Sequence, residues 1–159
     1  MSQARIYEGH EWMLGPAWAF GQETAVHALR LMASGLFDKH PRLQIILGHM
    51  GEGLPYSIWR VDNCNAWVKG RRHNYKATRK LADYFQNNFY ITTSGNFRTQ
   101  SLIDAMLEIG SDRIMFSTDW PFENIDHAAI WFDNATISEA DRVKIGRTNA
   151  IRLFKLEMK

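Results

Sequence analysis

Only one cysteine, Cys64, occurs among the 159 residues. That excludes an intramolecular disulfide framework and any cysteine-only zinc cluster, and it suits a reducing compartment. A lone thiol of this kind is expected to be a small packed residue. No apolar run approaches the roughly 18 residues of a membrane span, and the opening MSQARIYEGHEW lacks the apolar stretch of a signal peptide. A cytoplasmic protein without a membrane partner is therefore the expectation. Neither sign of charge is in large excess: the formal net charge of +2 is too mild to mark a nucleic-acid-binding protein. Internal repeats and low-complexity stretches are missing as well. What is present is core-forming material, 45% hydrophobic and 23% charged, the composition of a globular chain able to bury one sizeable core.

Residues 1 to 16 read as an aromatic loop with neither strand nor helix periodicity. From Trp18 to Phe37 the apolar positions Val26, Leu29, Ala33, Leu36 and Phe37 recur at helical spacing, and the helix ends before Pro41. Leu43 to Leu47 reads as a strand, and Pro55 marks the first turn of a helix whose inner stripe is Leu54, Ile58, Val61, Asn65 and Val68. Between Lys69 and Lys80 six of twelve residues are Lys or Arg, which reads as a solvated connection because Tyr75 alone offers little stacking surface for a nucleic acid.

The spacing then predicts a helix from Thr78 to Asn87, a strand Phe89 to Thr92, a helix Phe97 to Ile109 stopped by Gly110, and a strand Arg113 to Phe116. A short helix around Ile125 to Phe132, another from Ser138 with Asp141 at cap spacing, and a last one from Arg147 to Leu156 after a turn at Gly146 complete the chain. The order predicts an α/β protein with a parallel sheet of right-handed crossovers. Three strands make either a small open sheet or part of a barrel, since a closed eight-stranded barrel takes about 250 residues.

Chemistry in such sheets collects past the carboxyl ends of the strands. Two apolar runs stop there on useful residues: IILGHMGE reaches His49 and Glu52, and IMFSTDWPF reaches Asp119. Glu52 lies three positions after His49, close enough to hydrogen-bond the imidazole and fix its tautomer; a histidine merely satisfied within a loop is the alternative. Asp119 is placed to bind a metal or accept a proton, or else to cap the next helix. Glu8 and His10 have Glu-x-His spacing, yet Gly9, Pro16 and the aromatics around them argue for a loop. His27, His40, His73 and His127 read as surface or packing residues. Trp120, adjoining Asp119, is the tryptophan most suited to line a pocket.

The segments PRLQIILGHMGEGLPYSIWRVD and NFYITTSGNFRTQSLIDAMLEIGSDRIMFSTDWPFEN, followed by GRTNAIRLFKL, resemble the amidohydrolase-related, metal-dependent decarboxylases over nearly the whole chain. The resemblance implies a (β/α)8 barrel, with residues 1–159 forming one partial domain that holds strands six to eight. It implies that Asp119 binds a divalent metal, zinc or manganese, and takes part in proton transfer. It makes His49 and Glu52 a supporting dyad and sets Arg60, Trp18, Phe20 and Phe122 around the substrate. The implied reaction is non-oxidative loss of carbon dioxide from a hydroxylated aromatic acid such as a dihydroxybenzoate, in a homo-oligomer when full-length. The family's first-strand Glu-x-His and fifth-strand histidine match nothing in this sequence, so the expectation is a C-terminal portion carrying part of the site. A metal-dependent hydrolase of the same superfamily and a non-catalytic, partner-seeking fragment are the alternatives.

Overall fold

In the computed structural model the described residues are 5–67 and 74–157. Val68, His73 and the start of the basic connection lie outside them. Residues 5 to 17, read as part of an aromatic loop, form three short 3₁₀ turns, Arg5–Tyr7, Glu11–Met13 and Gly15–Ala17. They lead into α1 (Ala19–Ala33) and the single turn α2 (Leu36–Lys39). Next come β1 (Ile45–Leu47), α3 (Leu54–Trp67), α4 (Leu81–Asn88), β2 (Phe89–Thr92), α5 (Thr99–Ile109) and β3 (Ile114–Met115). Three helices close the order: α6 (Ile125–Asn134), α7 (Glu139–Val143) and α8 (Asn149–Phe154).

The three strands are parallel in the order β1-β2-β3, with Ile45 opposite Phe89 and Ile91 opposite Ile114. Leu47, Phe89, Ile91 and Ile114 join Met32, Ile58 and Leu102 in one buried cluster. Phe37 packs edge-on against Phe89 at 5.4 Å between ring centres, and each such buried aromatic contributes about 1.5–3 kcal/mol over an exposed one. Because all three strands are parallel, the loops that follow them emerge at the same end of the sheet.

Several elements differ from expectation for local reasons. The helix expected to run unbroken to Phe37 stops at Ala33, whose carbonyl accepts hydrogen bonds from the N–H groups of Lys76 and Ala77 at 2.7 and 3.2 Å. Gly35 then turns the chain at φ +79°. Val26 is 55% exposed, and the buried stripe of α1 runs through Ala28 and Met32 instead. Cys64 is exposed rather than packed, because it lies round α3 from Leu54, Ile58 and Val61. The helix expected from Thr78 begins at Leu81, where the Asp62 carboxylate of α3 accepts from the Leu81 and Ala82 N–H groups at 2.8 and 2.9 Å. Gly146 lies inside a π-type turn, Lys144–Thr148, that joins α7 to α8 without a break. A side chain at Gly146 would come within 3.0 Å of the Phe132 ring. No described helix is long and apolar enough to cross a membrane.

Candidate active site

Beyond β1 the backbone enters a tight turn in which His49, Met50 and Glu52 hold φ values of 48°, 57° and 55°. Non-glycine residues adopt this left-handed region only when their surroundings impose it. Three contacts do so here. The His49 N–H donates to Ser94 Oγ at 3.3 Å, the Gly51 N–H donates to the Gly48 carbonyl at 2.8 Å, and the Met50 side chain is buried in the core. The turn folds Glu52 back beneath the imidazole, with Oε1 2.6 Å from His49 Nδ1. Glu52 is enclosed, its side chain 8% exposed, whereas His49 opens to solvent.

Asp119 arrives from β3. Past the strand, Thr93 clasps Ser117: the Thr93 hydroxyl donates to the Ser117 carbonyl at 2.8 Å and accepts from the Ser117 N–H at 3.0 Å. Asp119 follows at φ 67°, and its carbonyl accepts from the N–H groups of Phe122 and Glu123 at 2.9 and 3.2 Å. Its side chain does not cap the next helix. Asn124 has that task, accepting from the His127 N–H at 2.9 Å.

Asp119 Oδ2 instead lies 3.6 Å from His49 Nε2, a charge contact longer than a hydrogen bond. The two strand ends thus converge on one imidazole held between two carboxylates. Desolvation pulls the pKa of His49 down, but the hydrogen bond and charge of Glu52, reinforced by Asp119, outweigh it and hold the ring above its ordinary 6.5. Gly95, from the loop after β2, lies against the same ring; a Cβ there would fall 2.9 Å from His49 Cδ2 and 3.4 Å from Asp119 Oδ2.

The remaining candidates are spread more loosely. Trp18 sits at the N-cap of α1 and Phe20 within its first turn, 50% and 46% exposed. Phe122 and Trp120 are more exposed still, at 86% and 70%. Arg60 is exposed on α3, and its side chain makes no hydrogen bond or ion pair among the described residues. Glu8 and His10 are both exposed, in the turns before α1. No group of three His, Cys, Asp or Glu among the described residues could hold a metal. Asp119 is one donor where a catalytic metal takes about three protein ligands, and both ring nitrogens of His49 face carboxylates, so the described residues do not by themselves fit a complete metal site.

Sequence reasoning passed over Ser94, Thr93 and Gly95. All three lie in the stretch TTSGN, where the small residues after a strand were the available signal. Gly21 was also passed over, and nothing in its neighbourhood distinguishes it until the fold brings Glu52 alongside.

The amidohydrolase family pattern matches residues 5–156. This chain belongs to the amidohydrolase family. It is 75% identical over 155 residues to the gamma-resorcylate decarboxylase of Polaromonas sp. (strain JS666 / ATCC BAA-500), covering 98% of this chain and 47% of that protein. The corresponding enzyme of Rhodococcus jostii (strain RHA1) is 71% identical over 154 residues, covering 97% of this chain and 46% of its own length. A solved dihydroxybenzoic acid decarboxylase from Polaromonas sp. JS666, with bound manganese and the inhibitor 2-nitroresorcinol, superposes with a TM-score of 0.91 at 74% identity. That superposition covers 98% of this chain and 47% of the solved one. A 2,6-dihydroxybenzoate decarboxylase complexed with 2,6-dihydroxybenzoate gives 0.90 at 75% identity, over 96% and 47% of the two chains. The chain therefore spans about half the length of these amidohydrolase-family decarboxylases, and its three parallel strands with flanking helices share the fold of that half.

Proposed function

We propose that the chain carries part of the active site of a metal-dependent, non-oxidative decarboxylase acting on a hydroxylated aromatic carboxylic acid such as a dihydroxybenzoate. The observation that carries this reading is the convergence of His49, Glu52 and Asp119 past the strand ends, in a chain 75% identical to gamma-resorcylate decarboxylases. Residues 1–159 form one partial domain. Asp119 is the metal ligand this chain contributes, and the remaining ligands come from outside the described residues.

The chain's own groups act on the proton. Glu52 accepts from His49 Nδ1–H, which turns Nε2 toward Asp119. A proton passes between Nε2 and Asp119 Oδ2 when the partly exposed aspartate closes the 3.6 Å gap. Its delivery to the ring carbon bearing the carboxylate lets the carbon–carbon bonding pair stay with the ring as carbon dioxide leaves. Trp18, Phe20 and Phe122 wall the aromatic ring, and Arg60 joins them in binding the substrate. Assembly as a cytoplasmic homo-oligomer, with neither nucleic acid nor membrane as partner, belongs to the same reading. The exposed aromatic face of α3, with Tyr56, Trp59 and Trp67 at 85%, 70% and 81% exposure, supports a covered surface in the assembly.

Manganese titration of the isolated chain, with carbon dioxide release from 2,6-dihydroxybenzoate measured in parallel, tests the division of the site. Neither stoichiometric tight binding nor turnover is expected; observing both would overturn the claim that this chain holds only part of the site.

A further inference from the structure

α1 places a glycine, Gly21, at its third residue, where the backbone has no need of one. Gly21 lies outside the left-handed region, and alanine is the better helix former at such a position. The reason is spatial. A Cβ on Gly21 would lie 2.9 Å from Glu52 Oε2 and 3.9 Å from Glu52 Cδ, the first distance shorter than real contacts allow. Glu52 has little freedom to retreat, since its other oxygen is 2.6 Å from His49 Nδ1 and the side chain is almost fully enclosed. The start of a helix also carries the partial positive charge that suits a carboxylate.

We infer that Gly21 is a positioning residue: the space left by its missing side chain seats the Glu52 carboxylate against the first turn of α1 and so holds the His49 ring toward Asp119. The same turn carries Trp18 and Phe20, so one rigid element sets both the aromatic wall and the acceptor that orients the imidazole. The inference rests on the decarboxylase reading only for what the pair does in turnover; the placement of the ring requires neither metal nor substrate.

Nuclear magnetic resonance of this chain with ¹⁵N-labelled histidine tests it at a single pH. The wild-type protein is expected to show a slowly exchanging, hydrogen-bonded His49 Nδ1–H, assigned by its loss in His49→Gln. In Gly21→Ala that signal should vanish or exchange at least about tenfold faster, the scale of one lost charge-assisted hydrogen bond, as it should in Glu52→Gln. Gly21→Ala should remain folded, its gain in helix propensity offsetting part of the lost hydrogen bond, and the neighbouring exposed variant Gln22→Ala should leave the signal as it was. An unaltered Nδ1–H in folded Gly21→Ala, its absence from the wild type, or failure of Gly21→Ala to fold would each overturn the inference. Lack of decarboxylation by the complete enzyme would leave it standing and count against the proposed function instead.

Discussion

His49, Met50, Glu52 and Asp119 share positive φ values, a conformation that costs of order 1 kcal/mol or more for each non-glycine residue. The surrounding hydrogen bonds must therefore over-determine the site, and Thr93 is the side chain that does so from below. Thr93→Val removes both bonds to Ser117 and leaves a backbone N–H and carbonyl unpaired next to a buried position. A loss of about 1–3 kcal/mol is expected in urea unfolding; a change within error would mean that the clasp is dispensable. Asp38 offers a titratable counterpart away from the site. The Tyr84 hydroxyl donates to its two oxygens at 2.6 and 2.7 Å, and Thr78 adds further bonds, so its carboxyl is held below the ordinary 3.8. A depressed carboxylate contributes stability above its ordinary pKa and loses that contribution as pH falls through the folded value. The melting temperature of Asp38→Asn should accordingly fall less steeply below about pH 4 than that of the wild type. Parallel acid limbs would remove Asp38 from the acid response.

At the level of elements, α3 and α4 are joined by Asp62, whose carboxylate occupies two of the orphan donors at the start of α4, those of Leu81 and Ala82. Asp62→Ala is expected to cost about 0.5–2 kcal/mol, the usual worth of a lost helix cap, read as a lowered denaturation midpoint with an unchanged slope. An unshifted midpoint would show that water replaces the cap. The same contact explains why the sequence placed the start of that helix too early: Thr78 has local cap chemistry, while the donor-satisfying carboxylate is 19 residues away in the chain. Strands were legible because buried parallel strands are continuous apolar runs, and their ends were legible from His49 and Asp119. The break at Gly35 was not, since it depends on Lys76 and Ala77 capturing the Ala33 carbonyl. Cys64 and Val26 were misplaced by assuming that an apolar residue on a helix faces inward, although the stripes through Ile58 and Met32 were already full.

For the whole molecule, the three-stranded sheet presents β1 and β3 as its two edges, and among the described residues neither has a further strand beside it. Unpaired parallel edges and the aromatic face of α3 are association-prone, so sedimentation velocity of the isolated chain is expected to show self-association that grows with concentration. A strictly monomeric species throughout would contradict that expectation. The central claim is that this chain supplies the His49, Glu52 and Asp119 portion of a decarboxylase site. It is tested most directly by a chimera in which the chain replaces the matching 47% of the Polaromonas relative. With manganese added, the chimera is predicted to release carbon dioxide from 2,6-dihydroxybenzoate, and its Asp119→Asn variant to lose at least about a hundredfold in rate through the loss of ligand charge and proton transfer. Near-normal turnover by the Asp119→Asn chimera, or a folded manganese-loaded chimera with no decarboxylation at all, would contradict the account.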